Sequence, residues 1–570
     1  MDNNCAESIY SNDYLDYIVE YFGNVEYIRN TYSPECIQLI DNRLASIYLP
    51  NKDHHMFYLE NPSIGVHIPY IYGLMDNSAL IDIRVPQVRL QPGLQLYGSR
   101  QILGIIDTGI DYRHEAFIAA DGTSRILSIW DQTNPSSPPE NFHYGTEYTR
   151  EQINAALASP NPEEIVPEKD EIGHGTFMAG VACGNTNEAN AFSGVAPLAD
   201  IVAVKLKPAK ENLKQYYMMG TDAPCYQEND IMAGIRYLLD KAQRAGRAIV
   251  ILIGVGTNLG DHNGSGPLGE MINDNSLRRG AAFVCPGGNE LNRGHHFREN
   301  ALAVNGQMDV EVKVAPEEKG FTIQLWSKQA NIFSVGVFSP SGEYSGKIPA
   351  RAGQSQIINY LLEGTTVYIS YQLVTSGLGT EMIMLRFQSP REGNWRIRVY
   401  NDSSIPGGFD MWLPIEGFLQ NETAFLLPDP EITICEPANN SNVITNATYN
   451  DLTGSLYVYS SRGFTSQGGI KPDITAPGVG ITGPYPGIRQ NNYTEMSGSC
   501  VGASFVAGVT LLLFEWALSR GNDLNVNSRT AVNYLIRGAR RTEEGTYPSP
   551  AWGWGILDAY GIFENLRPIG

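Results

Sequence analysis

Gln101-Ile102-Leu103-Gly104-Ile105-Ile106-Asp107-Thr108-Gly109 is the stretch whose reading decides the fold. Its apolar residues run without the polar alternation of a half-solvated strand, so a strand here must be covered on both faces. The run ends on an aspartate followed by Thr-Gly, which puts a carboxylate at the C-terminal end of a buried strand. Three more runs of this kind follow: Asp200-Ile201-Val202-Ala203-Val204, Ala248-Ile249-Val250-Ile251-Leu252-Ile253 and Ala281-Ala282-Phe283-Val284. Between the first two of these, Asn229 to Ala245 has helical spacing, with Ile231, Ile235, Leu238, Leu239 and Ala242 on one face. Strand, helix, strand in this order predicts an α/β fold with a parallel sheet and helices on both faces.

Composition bounds the rest. A chain of 570 residues has room for three or four domains of about 150 residues each. An apolar fraction of 42% with 18% charged residues describes a folded chain and excludes a mainly disordered one. The 58 glycines and 33 prolines favour turn-rich α/β or β architecture over a helical bundle. With 40 Lys and Arg against 61 Asp and Glu the net charge is −21, which excludes the basic face that nucleic-acid binding needs. Seven cysteines without a C-x-x-C spacing argue against a zinc site or a disulfide scaffold and favour a reducing birthplace. Met1-Asp2-Asn3-Asn4-Cys5-Ala6-Glu7 has neither a basic nor an apolar segment, so no secretory signal is expected. The run Ala507 to Leu518 is broken by Gly508, Thr510 and Glu515 and reads as a buried helix rather than a membrane span.

Along the chain the character changes three times. Residues 1–76 read as a small α+β unit, with strand-like Tyr14 to Tyr21 and Cys36 to Ile40, and Leu44 to Leu49 pairing with the latter through Asp41-Asn42-Arg43. Ser63 to Leu74 is extended, since Pro69 bars a helix. Residues 77–302 carry the first α/β part, with Thr133 to Lys169 as a polar surface loop. Residues 303–430 show short alternating runs, among them Val310 to Val314, Phe321 to Trp326, Val367 to Tyr371 and Trp395 to Val399, and predict an inserted all-β sandwich or jelly roll. That insert is expected to carry no catalytic residue and to stiffen the α/β part through a large apolar interface. The α/β pattern resumes over 431–570.

Four short motifs stand in a telling order: Asp107-Thr108-Gly109, Gly173-His174-Gly175-Thr176, Pro286-Gly287-Gly288-Asn289-Glu290 and Gly498-Ser499-Cys500-Val501-Gly502-Ala503-Ser504. A nucleophile at a helix start gains from the dipole and from unpaired backbone N–H groups. A neutral His takes its proton, a buried Asp fixes the His tautomer, and an Asn amide donates to a developing oxyanion. His295-His296 and Asp53-His54-His55 read as solvated surface pairs rather than metal ligands, and Asp111 as a turn residue. Cys183, Cys285 and Cys435 lie in apolar runs and read as inert core thiols.

These motifs, together with Tyr459-Ser460-Ser461-Arg462-Gly463 and Gly469-Ile470-Lys471-Pro472-Asp473-Ile474-Thr475-Ala476-Pro477-Gly478, make the chain resemble the subtilisin-family peptidases, the subtilases. More narrowly it is similar to the clostridial germination-specific Csp group, on Tyr72-Gly73-Leu74-Met75-Asp76, Ile129-Trp130-Asp131-Gln132-Thr133, Trp412-Leu413-Pro414-Ile415 and Ile481-Thr482-Gly483-Pro484. The resemblance implies a self-processing endopeptidase with Asp107, His174 and Cys500 as catalytic residues and Asn289 as oxyanion donor. It implies substrate binding at Gly254, Val255, Gly256, Gly288 and Ser499, and neither metal nor cofactor. It further implies that residues 1–76 are a prodomain bound in the cleft and released by one self-cleavage between about 70 and 80. The implied partner is a protein substrate such as a cortex-lytic proenzyme, with no nucleic acid and no membrane. The implied setting is a monomer, made in the bacterial cytoplasm and associated with the spore. Two departures stand out: Gly254-Val255-Gly256 where the family has Ser-Leu-Gly, and Cys500 where it has Ser. The cysteine leaves three readings open: a Ser-to-Cys change introduced to trap a processed complex, a natural cysteine enzyme of weakened activity, and a catalytically idle sensor or scaffold on the same fold.

Overall fold

Ile102–Asp107 lies inside an eight-stranded sheet whose order is Ile474–Pro477, Ile444–Tyr449, Ala281–Pro286, Ile249–Ile253, Ile102–Asp107, Asp200–Lys205, Ile126–Asp131, Thr146–Thr149. Every neighbouring pair is parallel except the last, Ile126–Asp131 with Thr146–Thr149. The computed structural model describes residues 14–21, 23–39, 44–50, 66–67, 78–328, 331–351, 355–375, 379–420, 422–487, 492–543 and 545–566.

Successive strand residues point to opposite faces, and both faces are filled. Leu103, Ile105, Ile201, Ala203, Val250, Leu252, Ala282 and Val284 join one core. Ile102, Ile106, Val202, Val204, Ile249, Ile251, Ile253 and Phe283 join the other. The first core is roofed by helix α1 (His174–Cys183) and helix α2 (Ser499–Phe514). The second is roofed by Glu228–Ala245, which buries Ile231, Ile235, Leu238, Leu239 and Ala242 and ends on Gly246 in the left-handed conformation. With its terminal π turn, α2 is long and apolar enough to cross a membrane, but 89% of its most apolar window is buried in the fold, which makes it a core helix.

The segment Thr133 to Lys169 departs from the expected loop. It holds the edge strand Thr146–Thr149 and the helix Arg150–Leu157, started by a Thr149–Gln152 capping box. Only Ile153 and Ala156 of that helix are buried, so the apolar signal is too thin to stand out among polar residues.

Two antiparallel sheets form the β insert and share one core. One runs His296–Leu302, Gly407–Trp412, Gly320–Ser327, Met382–Gln388, Thr365–Gln372, Ser355–Tyr360. The other runs Phe333–Phe338, Gly393–Asn401, Gln307–Val314, Ala424–Phe425. The insert therefore begins at His296, ahead of the expected boundary at 303. That first strand buries only its leading residues and lacks the alternation that marks Gln307–Val314, Thr365–Gln372 and Gly393–Asn401.

The seam between insert and α/β part is not the large apolar face that was expected, for the two parts keep separate cores. Instead the Trp412 indole lies between two imidazoles, 4.0 Å from His262 at 5° and 4.9 Å from His296 at 16°. Hydrogen bonds flank this stack: Gly260 N to Gln324 Oε1 (2.9 Å), Thr322 Oγ1 to Tyr217 O (2.7 Å) and Asn258 Nδ2 to Leu413 O (3.2 Å). His295 and His296 are thus buried and paired, not solvated: His295 Nδ1 lies 2.6 Å from Glu290 and His296 Nε2 3.0 Å from Asp410. Burial alone would raise the Asp410 carboxyl, but the hydrogen bonds and charges of His296 and Arg298 hold it at about 2. Asp53-His54-His55 lies outside the described residues.

Residues 1–75 form a separate compact unit. Its sheet has the order Cys36–Leu39, Leu44–Pro50, Tyr14–Glu20, Val66–His67. A helix that the sequence pattern does not announce, Val25–Tyr32, is capped by Asn24 and buries Ile28 against Val19, Ala45 and Ile47. Of the extended stretch Ser63 to Leu74, Val66–His67 pairs antiparallel with Tyr14–Glu20, and the rest lies outside the described residues, as does the expected cleavage window as far as residue 77. Cys36 is disulfide-bonded, which the reducing birthplace favoured by the sequence does not lead one to expect, while Cys183, Cys225, Cys285, Cys435 and Cys500 are free.

Candidate active site

The site is built on strand ends and helix starts. Asp107 closes its strand with a side chain only 1% exposed, and its Oδ1 accepts the Thr108 N–H at 2.7 Å. His174 opens α1, and its Nδ1 sits 2.8 and 2.9 Å from the two Asp107 oxygens. Two glycines make this approach possible. A Cβ on Gly175 would stand 2.2 Å from Gly109 O, and one on Gly254 would stand 1.8 Å from Asp107 Oδ2.

Asp170, which the motifs do not mark, sets the Asp107–His174 spacing. Its buried carboxylate accepts from Thr108 Oγ1 (2.7 Å), Gly173 N (2.8 Å), Thr176 N (2.8 Å) and Thr176 Oγ1 (2.7 Å). Thr108 Oγ1 in turn accepts the Gly175 N–H at 3.0 Å. One carboxylate therefore ties the loop after Asp107 to the first turn of α1, where the helix dipole favours a negative charge. An acid just ahead of a Gly-His-Gly helix start is the signal that could have found it. Asp111 is buried beside Arg113, and its N–H donates to Thr176 Oγ1 at 2.9 Å.

Cys500 is the second residue of α2, so its N–H has no carbonyl four residues back within the helix. Its Sγ lies 3.6 Å from Gly254 O, and the thiol is near enough to His174 to favour the charged imidazole. Burial works against a charge on His174, yet the Asp107 carboxylate outweighs it by charge and hydrogen bond, with the Cys500 thiol adding to the effect. The imidazolium is held well above its ordinary range.

Asn289 stands on the opposite wall. Its Oδ1 accepts the Ser499 N–H at 2.9 Å, and its Nδ2 lies beside Gly498, the residue before α2. Ser499 itself is 1% exposed, and its hydroxyl accepts the Gly288 N–H at 3.1 Å. This corrects the expectation that Ser499 contacts substrate: it braces the Gly288-Asn289 loop from behind. Gly254 is buried, Val255 half-buried and Gly256 exposed, and Thr257 then pairs with Glu436 through N–O distances of 3.0 and 2.8 Å. Among the described residues no group of three or more His, Cys, Asp and Glu side chains is placed to hold a metal ion. The arrangement can pass a proton from thiol to imidazole and can hold an anion between Asn289 Nδ2 and the Cys500 N–H.

The peptidase S8 model, described as the subtilase family, matches residues 98–346 and 421–555, which is more than half of the chain. The chain is a subtilase. The stretch of this subtilase that the family model skips falls inside the β insert. The solved Clostridium perfringens CspB protease is similar over 85% of this subtilase and 96% of its own chain, at 31% identity and a TM-score of 0.74. The C5a peptidase of Streptococcus pyogenes serotype M1 is 22% identical over 510 residues, which are 81% of this subtilase but 39% of that relative. The Arabidopsis thaliana subtilisin-like protease SBT5.4 is 23% identical over 73% of this subtilase and 55% of its own length. The subtilase thus spans about two-fifths to just over half of the length of these curated relatives.

Proposed function

We propose that this subtilase is a self-processing endopeptidase that cleaves protein peptide bonds through a thioester on Cys500. The observation that carries the reading is His174 held by Asp107 at 2.8 Å on one ring nitrogen, with the Cys500 thiol close enough to favour the charged imidazole. Sγ attacks the scissile carbonyl while His174 takes the thiol proton. Asn289 Nδ2 and the Cys500 N–H receive the oxyanion. His174 then protonates the leaving amine, and a water deprotonated by His174 releases the acid and restores the thiol. Asp107 steadies the imidazolium through both steps.

Sulfur is larger than oxygen in a site arranged for a hydroxyl, so active esters acylate readily and amides are cut slowly. By its likeness to the germination-specific group, the protein substrate is a spore cortex-lytic zymogen, and the enzyme is a spore-associated monomer whose prodomain, residues 1–76, is released by one self-cleavage between about 70 and 80. Cys500 in place of Ser favours one second reading, an idle protease fold that acts as a germination sensor or scaffold.

The test compares the chain with Cys500→Ser and Cys500→Ala. The serine form should hydrolyse peptides at least about tenfold faster than the cysteine form, and N-terminal sequencing should find its new terminus between about 70 and 80. The alanine form should do neither. Peptide cleavage that survives Cys500→Ala refutes the assignment of the nucleophile. Failure of both the unaltered chain and its Cys500→Ser form to acylate with an active ester favours the idle reading.

A further inference from the structure

Glu290 follows Asn289 directly, and its carboxylate is buried, with 4% of the side chain exposed. An unpaired acid in that position would be costly, and this one is fully engaged. Oε2 receives His295 Nδ1 at 2.6 Å and Asn258 Nδ2 at 3.3 Å, and Oε1 receives the Glu416 N–H at 3.0 Å. The three partners have different origins. Asn258 follows the Gly254–Gly256 wall of the site. His295 stands at the entry to the β insert, and Glu416 lies just past its Gly407–Trp412 strand.

Around Asn289 the backbone is held on both sides. Gly288 N–H donates to Ser499 Oγ (3.1 Å), Ser461 N–H to Gly288 O (3.1 Å), and Glu290 N–H to Ser461 Oγ (3.0 Å). Arg293 reinforces the loop after Gly407–Trp412 through Glu416 at 2.6 Å. The Glu290 side chain joins this clamp to the insert and to the opposite wall at once.

We propose that Glu290 is a positioning residue that fixes Asn289 against the start of α2, so that the β insert, through His295 and Glu416, sets the geometry of the oxyanion site. This rests on the reading of Asn289 as the oxyanion donor. Such a donor acts in the transition state and little in the ground state. Loosening it should lower kcat per folded active site and leave KM alone. A loss of folded enzyme lowers the apparent kcat in the same way, so rates are taken per titrated active site and well below each thermal midpoint.

The experiment measures steady-state hydrolysis of an active acyl-peptide ester by the full chain carrying Glu290→Ala, Glu290→Gln, His295→Gln, Asn289→Ala, or Asn289→Ala with Glu290→Ala, each checked for folding by its thermal midpoint. Glu290→Ala should lower kcat roughly 10- to 100-fold with KM within about twofold. Glu290→Gln, which can still accept from Glu416 N–H, and His295→Gln should lose less. The double variant should be no slower than Asn289→Ala, because both act through one donor. If Glu290→Ala does not fold, the milder Glu290→Gln is compared in the same way with and without Asn289→Ala. A loss that adds fully to that of Asn289→Ala, or a rise in KM with kcat kept, overturns the proposal. Asn289→Ala without effect on kcat overturns the underlying site reading instead. A slow Asn289→Ala beside an unimpaired Glu290→Ala overturns this inference alone.

Discussion

Two histidines in this subtilase, one with 29% of its side chain exposed and one fully covered, respond to desolvation in opposite ways. His174 lies against the Asp107 carboxylate at 2.8 Å and is held well above its ordinary range although burial opposes its charge. His262 is buried at the seam with the β insert, its Nδ1 2.8 Å from Ile434 O and its ring stacked on Trp412. There burial wins, helped by the neighbouring His296, and the carbonyl contacts and Asp261 do not offset it, so His262 is pushed down to about 4. Desolvation is common to both, and one carboxylate decides the sign. The first histidine gains affinity for a proton, and the second loses it and packs as an aromatic wedge.

The widest gap between these regions is opened at Asp107. Asp107→Asn keeps the shape of the site but removes the charge that stabilises the imidazolium, and kcat for ester hydrolysis should fall about 10⁴-fold with the thermal midpoint little changed. A fall of less than about tenfold, measured against a Cys500→Ala blank, would separate His174 from the chemistry.

At the Trp412 stack the first effect should be on stability. Trp412 is 2% exposed, lies between two imidazoles and donates Nε1–H to Ile432 O at 3.1 Å. Trp412→Ala should cost about 3–5 kcal/mol in denaturant unfolding. A cost below about 1 kcal/mol would show that the insert is held elsewhere.

The smallest effect is the pH dependence at His262. Its folded value, about 4, lies below its ordinary 6.5, so the unfolded chain binds a proton that the folded chain refuses. The stabilisation is complete above about 6.5 and is lost as pH falls toward 4, by about 3 kcal/mol in all. Unfolding free energies measured from pH 7 to 4 should therefore slope downward, and His262→Gln should flatten that slope. An equal slope in both chains would assign the acid sensitivity to other groups.

Much of this molecule is legible in the amino-acid order by itself, and the reason is local. The central strand, its parallel neighbours, the helix Glu228–Ala245 and four of the insert's strands announce themselves by apolar runs or by period, because each buries side chains that lie near one another in the sequence. The four motifs likewise mark Asp107, His174, Asn289 and Cys500, since a helix start beside glycines is a local feature. Only the tertiary structure decided which buried polar groups meet. Asp170 reaches back to Thr108, Glu290 joins Asn258, His295 and Glu416, and His262 finds Trp412 and His296 across the seam. The strand His296–Leu302 belongs to the insert only because Gly407–Trp412 comes to pair with it. Hydrogen bonds between residues far apart in the chain leave no period in the sequence, and a buried acid or imidazole looks like a solvated one until the fold brings its partner to it.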